Sequence, residues 1–279
     1  LTKRDIENYG IEEFNRRCRE SVFRYVGEWE RLTERIGFWI DMNAPYVTYD
    51  NGYIETCWWI IRQLWDRGLV YRGTRVAPHC PRCVTTLSSH EVALGYREDT
   101  PDPSVYVRFR LSDYQQSSAV STHAVLDRLG YSRTHGRWRG TIPSILVWTT
   151  TPWTLPANVA LAVAPDEEYV LVQAPADSPD ESLILARARV EMVLGSEWSV
   201  KATINGRELL NLSYETLYRT DGTADISGVI AADFVSMDDG TGVVHIAPAY
   251  GAEDQEIAQA HSLPTVHTVN QEGRVMVAT

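Results

Sequence analysis

A run of hydroxyl side chains is the most unusual chemical feature of this sequence. Residues 148–158 read Trp-Thr-Thr-Thr-Pro-Trp-Thr-Leu-Pro-Ala-Asn, so four hydroxyls, an indole and an amide follow directly on a predicted strand. Hydroxyls and amides donate and accept hydrogen bonds, and two prolines would hold the backbone that presents them. Such a patch suits an ester or a ribose. Because threonine is also common in ordinary strands, a structural turn is the simpler interpretation of this segment taken alone.

A second segment, residues 239–254, combines glycines, a histidine and two carboxylates. It reads Asp-Gly-Thr-Gly-Val-Val-His-Ile-Ala-Pro-Ala-Tyr-Gly-Ala-Glu-Asp. The Gly-x-Gly pair lacks the third glycine of a dinucleotide fingerprint and precedes a strand, so it does not predict nucleotide binding. The strand would deliver His245 to a loop, and Asp254 would lie near the start of a helix over 256–261. Taken singly, a core histidine and a first-turn carboxylate explain both residues.

The elements that precede these segments are predicted to be helical. Apolar residues recur with a period near 3.6 from Phe14 to Ile36, which predicts one long amphipathic helix ending at Gly37. A second helix is predicted from Tyr53 to Asp66, ended by Gly68. Residues 69–72 are predicted to form a strand that leads into the Cys-Pro-Arg-Cys turn at 80–83.

After residue 97 the sequence is typical of short strands separated by Pro, Gly and Asp turns, which predicts a barrel-like β domain with flanking helices. The predicted strands are 105–109, 144–149, 159–163, 169–172, 229–232 and 243–246, with a helix over 122–129. The clustering of Gly95, Asp99, Pro101 and Pro103 places a domain boundary near residues 95–103. The predicted fold class is therefore α+β, with a helical part over 1–97 and a β domain over 98–279.

Composition and charge exclude several classes of protein. The chain has 279 residues, of which 44% are hydrophobic and 23% charged, as in globular proteins. Its net charge of −11 argues against a protein that wraps nucleic acid by bulk electrostatics. No stretch approaches the roughly 18 apolar residues that a membrane span needs. Four cysteines, two of them in a Cys-x-x-Cys pair, favour a reducing compartment, and we expect a cytoplasmic protein.

Together the two polar segments resemble the editing pocket of bacterial-type isoleucyl-tRNA synthetases, and the resemblance extends over essentially the whole chain. Residues 1–95, with Cys-Pro-Arg-Cys followed by Leu-Ser-Ser-His-Glu at 87–91, resemble the section that leads from the Rossmann-type catalytic domain into the inserted first connective polypeptide. Valyl and leucyl relatives typically carry Thr-Thr-Arg-Pro where this chain has its threonine run, and a residue other than histidine at position 245.

The resemblance implies a role for each matching residue. Asp254 would hold the α-ammonium of a wrongly attached amino acid, and His245 would border its side-chain pocket. The threonine-rich peptide would line the site and position the ester and the terminal adenosine, through Thr149, Thr150, Thr151, Trp153, Thr154 and Asn158. The implied reaction is hydrolysis of valine from the tRNA for isoleucine, by direct attack of a water oriented by Thr151 and the Asn158 amide, with no cofactor. The proton acceptor stays open among His245, Asp254 and the ribose hydroxyl of the substrate.

The resemblance also bears on metals and on the rest of the enzyme. Cys80 and Cys83 have the spacing of half a zinc site, but structural zinc takes four ligands, and the resemblance places the partner pair farther along the parent chain. His79 and His90 are weaker substitutes. The sequence lacks His-Ile-Gly-His and Lys-Met-Ser-Lys-Ser, so ATP and magnesium are expected to serve only the catalytic portion outside it. We therefore expect an internal fragment of a monomeric parent enzyme.

Two other interpretations stay open at this point. The chain could be a catalytically inert tRNA-docking or structural piece of the same synthetase. It could also be a metal-dependent hydrolase that uses His245, Glu253 and Asp254, although these residues lack a known ligand spacing.

Overall fold

The computed structural model describes residues 3–93, 97, 99–112, 119–131, 133–134, 137–138, 142–177, 180–219 and 226–276. The chain divides into two compact units. The first unit comprises residues 1–74 and 82–84, and the second comprises 75–81 and 85–279. The division therefore does not coincide with the composition shift at 97/98. Residues 76–79 belong to the second unit because Val76 N–H donates to Gln255 Oε1 (3.1 Å) and His79 Nε2 lies 2.8 Å from Gln271 O.

The first unit is helical, as predicted, with α1 (Lys3–Tyr9), α2 (Ile11–Phe23), α3 (Val26–Arg35) and α4 (Asn51–Asp66). The prediction of one long helix up to Ile36 is wrong. The backbone ladder of α2 ends where Arg24 N–H donates to Glu20 O and restarts where Trp29 N–H donates to Tyr25 O. Aromatic and β-branched residues cluster around this break, and both types have lower helix propensity than straight-chain residues. Gly68, with φ of +69°, ends α4 as expected.

The strand predicted over residues 69–72 is also wrong, because this segment is irregular. Leu69 and Tyr71 are 64% and 84% exposed, and no strand among the described residues pairs with this apolar run. A short apolar run specifies burial only if another element covers it.

The second unit contains two main sheets. The strands are β1 (His79–Cys80), β2 (Thr85–Thr86), β3 (Val105–Arg110), β4 (Arg133–Thr134), β5 (Arg137–Trp138), β6 (Ser144–Thr149), β7 (Ala160–Val163), β8 (Glu168–Gln173), β9 (Ser182–Ala186), β10 (Ser199–Asn205), β11 (Ser213–Glu215), β12 (Ile226–Ala231) and β13 (Val243–Ile246). A five-stranded sheet has the order β10-β8-β9-β6-β3, and a four-stranded sheet has the order β11-β12-β7-β13. β1 with β2, and β4 with β5, form two hairpins.

Short helices flank these sheets, and they are α5 (Ser89–Ala93), α6 (Ala119–Arg128), α7 (Val190–Leu194), α8 (Gly206–Leu209) and α9 (Ala252–Ala260), with 3₁₀ turns over Pro152–Ala157 and Arg187–Arg189. None of the described helices combines the length and apolarity needed to cross a bilayer.

The two sheets share one hydrophobic core. Phe109 and Ile184 of the five-stranded sheet belong to the same buried cluster as Leu161 and Tyr214 of the four-stranded sheet. A bridge between Leu111 and Tyr214 joins the sheets at one edge. Such packing of mixed sheets with flanking helices confirms the predicted α+β class and explains the barrel-like pattern of short strands.

Candidate active site

The first wall of the site is the threonine-rich segment after β6. Pro152 begins the 3₁₀ turn, a position where proline's fixed φ is favourable and its missing N–H costs nothing. Thr154 Oγ1 donates to Thr151 O at 2.8 Å, and Thr151 N–H donates to Thr149 Oγ1 at 3.1 Å. These local bonds hold the hydroxyls in fixed positions beside one another.

His245 forms the base of the site. It lies on β13 opposite Leu161 of β7, and its side chain is 6% exposed. Its Nε2 is 3.0 Å from Thr154 Oγ1. Because Thr154 already donates its one hydroxyl proton to Thr151 O, we assign the imidazole proton to Nε2, which donates to Thr154. Burial lowers the pKa of His245 to about 4, so the ring is neutral at pH 7.

His245 Nδ1 is buried and has no hydrogen-bond partner among the described residues. In the tautomer assigned above this nitrogen carries a lone pair and no proton. The ring therefore presents a rigid and uncharged surface to the site.

Asp254 lies in the first turn of α9, as predicted. Its Oδ2 accepts a hydrogen bond from Ala247 N–H at 2.9 Å, which fixes the carboxylate against the loop after β13. Burial raises its pKa, the Ala247 bond opposes that shift, and the nearby Glu253 adds to it. A Cβ at Gly251 would lie 2.9 Å from Asp254 Cγ, so only glycine leaves room for the carboxylate in this place.

These elements enclose a cavity of about 500 Å³ within the second unit. Its walls include three carboxylates, from Asp239, Glu253 and Asp254, and no lysine or arginine among the described lining residues. A cavity with this charge favours a cationic group and disfavours a phosphate or a carboxylate.

The structure brings six of the predicted site residues together around this cavity: Thr149, Thr150, Thr151, Thr154, His245 and Asp254. Trp153 stands beside it, 46% exposed, with its ring 5.3 Å from the ring of Tyr250, which does line the cavity.

Asn158 is not part of the cavity wall. Its Nδ2 donates to Ala160 O at 2.8 Å, and its Oδ1 accepts from Tyr214 Oη at 2.7 Å. The amide is 3% exposed, so these core hydrogen bonds use the groups that we expected to orient a water. The geometry supports a structural role for Asn158.

Sequence reasoning missed several lining residues, including Trp148, Phe234 and Ser236. Trp148 and Tyr250 lie within the two polar segments, so their positions in the sequence could have identified them as lining residues. Phe234 and Ser236 lie outside those segments, and nothing in their local sequence distinguishes them from ordinary loop residues.

The described residues do not form a complete metal site. They contain no group of three or more His, Cys, Asp or Glu side chains that is arranged to hold a metal ion. Cys80 lies at the end of β1 and Cys83 in the turn that follows, and His79 Nε2 is engaged with Gln271 O. Two thiolates supply half of a tetrahedral zinc site at most, so the residues present do not fit the ion.

Comparison with known proteins places the chain in a family. The profile of tRNA synthetases class I (I, L, M and V) matches residues 1–255. The isoleucine–tRNA ligases of Dehalococcoides mccartyi (strain CBDB1) and Thermus thermophilus are 44% and 47% identical to it, over 98% and 99% of this chain. The chain spans only 27% and 24% of the length of these curated relatives.

Solved structures that match part of the chain include GlLeuRS-CP1, at a TM-score of 0.46 and 18% identity over 56% of this chain and 59% of that one. The editing domain of the P. falciparum cytosolic leucyl-tRNA synthetase has a TM-score of 0.43 and 11% identity, covering 57% of this chain and 67% of that one. The resemblance to isoleucyl-tRNA synthetases that the sequence indicated is confirmed by the relatives, and the chain belongs to the class I tRNA synthetases of the isoleucine, leucine, methionine and valine group.

Proposed function

We propose that the cavity hydrolyses the ester that links a wrongly attached valine to the tRNA for isoleucine. One observation carries this proposal. The threonine-rich wall after β6 and the Asp254 carboxylate of α9 come from distant parts of the chain and line a single cavity together with His245 of β13. If the threonine-rich segment acted alone, the cavity would not need a carboxylate at the position of Asp254.

The charge of the cavity supports an aminoacyl ester as the ligand. An aminoacyl ester carries a free α-ammonium, whereas a peptide bond to that nitrogen would remove the charge. Asp254 is held by Ala247 N–H and lines a cavity without lysine or arginine among its described walls, so it offers a charge-assisted hydrogen bond to the ammonium.

The reaction that fits these groups is direct hydrolysis. A water oxygen attacks the carbonyl carbon, the bond between that carbon and the ribose oxygen breaks, and the ribose oxygen takes up a proton. The products are the free amino acid and the tRNA with its terminal hydroxyl restored. The Thr151 hydroxyl would orient the water or the ester, since Thr151 lines the cavity, and Asn158 keeps only a structural part in this proposal.

His245 supplies a size limit in this proposal. Its neutral ring is fixed by Thr154 and stands at the base of the cavity, where a longer side chain would meet it. A second site of this kind is useful because one methylene in an apolar pocket contributes only about 1–3 kcal/mol of discrimination, a limit for which isoleucyl enzymes are themselves the standard illustration.

The partners follow from the same reaction. The tRNA for isoleucine is the macromolecular partner, and the remainder of a longer synthetase would supply ATP-dependent aminoacylation. A zinc site completed by ligands outside this sequence and a cytoplasmic location stay predictions.

The test is single-turnover deacylation of valyl-tRNA for isoleucine by the 279-residue chain, compared with the correctly charged isoleucyl-tRNA. Asp254→Asn keeps the size of the side chain and removes its charge, and we expect a rate loss of roughly 10- to 150-fold, the equivalent of one lost hydrogen bond to a charged group. Glu256→Gln is the matched control, because Glu256 is an exposed carboxylate on the same helix outside the cavity wall.

Equal rates for the wild-type and Asp254→Asn chains would overturn the assignment, and no hydrolysis by the wild-type chain would favour an inert docking role. Loss of activity on adding a chelator would favour the metal-dependent alternative.

A further inference from the structure

One loop of the cavity wall is held from behind by groups that do not enter the cavity. Residues 239–242 line the cavity, and four carbonyl groups of the loop 238–242 accept hydrogen bonds from other elements. Asp238 O and Gly240 O accept from Arg189 at 2.7 and 3.1 Å, Thr241 O from Ala186 N–H at 2.9 Å, and Gly242 O from Tyr169 Oη at 2.7 Å.

Arg189 makes two of these four bonds with a single guanidinium. It ends the 3₁₀ turn Arg187–Arg189 and is half-buried, and it is not among the residues that line the cavity. The planar guanidinium presents its N–H groups in a fixed fork, so it sets the spacing and direction of two carbonyls at once. The two carbonyls belong to alternate residues, Asp238 and Gly240.

The orientation of these carbonyls determines that of two amides. A trans peptide plane places its C=O and the following N–H on opposite sides, and the described chain has no cis peptide bonds. The N–H groups of Asp239 and Thr241 therefore point away from Arg189. Arg189 is not among the described lining residues, whereas Asp239 lines the cavity and is exposed, so we take the Asp239 amide to face the cavity. Thr241 is only 1% exposed, and its peptide group helps to hold the loop from within.

We propose that Arg189 is a positioning residue that, by holding the peptide groups on both sides of residues 239–240, aims the Asp239 amide at the oxygen on which negative charge develops when water attacks the ester. This inference rests on the proposed function. Backbone amides held in advance toward a developing oxyanion are the most effective stabilisers of acyl-transfer transition states. The positive charge behind the two peptide groups also polarises them, which makes each N–H a stronger donor.

The other side of the loop supports the same conclusion. Gly240 has φ of +57°, and a Cβ at this position would lie 3.0 Å from Trp148 Cε3. The loop is therefore in contact with the Trp148 indole and with the Arg189 guanidinium. A shift of the loop after loss of Arg189 would change the surroundings of the indole, which gives a readout independent of activity.

The test compares Arg189→Ala, Arg189→Lys and the control Arg187→Ala in the 279-residue chain. Arg187 lies in the same turn, but its guanidinium pairs with Glu168 at the surface (3.0 Å).

We expect Arg189→Ala to lower the single-turnover rate of valyl-tRNA deacylation about 10-fold with little change in the substrate concentration at half-maximal rate. Arg189→Lys should recover part of the loss, because one ammonium lacks the fork. Added guanidinium ion should partly restore the alanine variant, and Arg187→Ala should stay within about twofold of wild type.

Two further measurements do not depend on activity. The first is hydrogen exchange at the Asp239 and Thr241 amides. The second is the fluorescence of Trp148, obtained by subtracting the spectrum of the same chain carrying Trp148→Phe. Faster exchange and an altered Trp148 signal in Arg189→Ala, but not in Arg187→Ala, support the positioning role. An unchanged rate, or a change confined to the half-saturating concentration, overturns the inference even if the wild-type chain is active. If the wild-type chain does not hydrolyse the ester, the proposed function fails, and unchanged exchange would then also remove the loop-positioning role.

Discussion

Both units of this chain are rich in regularly spaced apolar residues, but only the second unit buries them. In the first unit, α2, α3 and α4 contain no buried residue, and Trp39 is 94% exposed. In the second unit, Ile184 and Tyr169 are fully buried within a core that both sheets share. Periodicity therefore predicts which face of an element packs against a partner, but periodicity does not indicate whether that partner lies in the same stretch of chain.

The position of the candidate site follows this difference. The candidate side chains lie on elements that also contribute to the second unit's core: the threonines after β6, His245 on β13 and Asp254 on α9. A site that must hold several groups to within a fraction of an ångström needs elements that packing fixes in place. The exposed helices of the first unit offer no such support within the described chain.

The largest expected effect tests the packing difference directly. Ile184→Ala should lower the free energy of unfolding of the second unit by about 2–5 kcal/mol, because it leaves a cavity in a close-packed core. Trp39→Ala removes a larger side chain from an exposed position in the first unit, and it should change the free energy of unfolding of the chain by less than about 0.5 kcal/mol. Urea unfolding followed by circular dichroism measures both. A similar loss for the two variants would mean that the first unit is packed in solution.

Much of the second unit could be predicted from the sequence. β6 and β13 have the bounds that alternation and turn residues indicated, and β7 begins one residue later than expected. β9 was missed because Ser182–Ala186 is buried on both faces and shows no alternation, so its pattern does not distinguish a strand from a buried helix. The break after α2 was missed because the apolar period continues across a cluster of aromatic and β-branched residues with low helix propensity, and the segment 69–72 was misjudged because its apolar run is exposed.

The site was predictable in residue types and less so in orientation. The threonine run and Asp254 were assigned to the site because the two segments together resemble the editing pocket of isoleucyl-tRNA synthetases; taken singly, each segment has a simpler structural interpretation. Asn158 was misplaced because the direction of its side chain depends on Tyr214, a hydrogen-bond partner distant in sequence. Arg189 carries no local signal either, since its two acceptors lie in a loop about fifty residues away.

The next expected effect is a difference between the two units in how their stability depends on pH. Because the pKa of His245 falls from 6.5 to about 4 on burial, folding favours the neutral ring. The stabilisation is fully present above pH 6.5 and is lost as the pH falls toward 4, by up to roughly 3 kcal/mol. In the first unit, hydrogen bonds from Arg16 and then Arg17 lower the pKa of Glu13 to about 2, so its contribution changes only below pH 4.5.

Urea unfolding of wild type and His245→Gln at pH 7.5, 6.0 and 4.5 measures this effect. Asp254, whose pKa is raised by burial, contributes in the opposite direction, so the difference between the two chains isolates the imidazole. We expect wild type to lose stability relative to His245→Gln as the pH falls. A constant difference across this range would show that the pKa of His245 is the same in the folded and unfolded states, as for an exposed ring.

The smallest expected effect compares one glycine from each unit. A Cβ at Gly251 would lie 2.9 Å from Asp254 Cγ, so Gly251→Ala must displace the carboxylate that is proposed to bind the ammonium. A Cβ at Gly52, in α4, would meet nothing within 4 Å.

We expect Gly251→Ala to reduce deacylation about 10-fold, mainly through weaker substrate binding, because a misdirected charge-assisted hydrogen bond loses on the order of 1.4 kcal/mol. Gly52→Ala should leave the rate unchanged and raise the stability of α4 by about 0.5 kcal/mol, because alanine loses less backbone entropy than glycine in a helix. Equal rates for the two variants would show that the position of Asp254 does not limit the reaction, whereas a loss in both would mean that the helices of the first unit also act on the site.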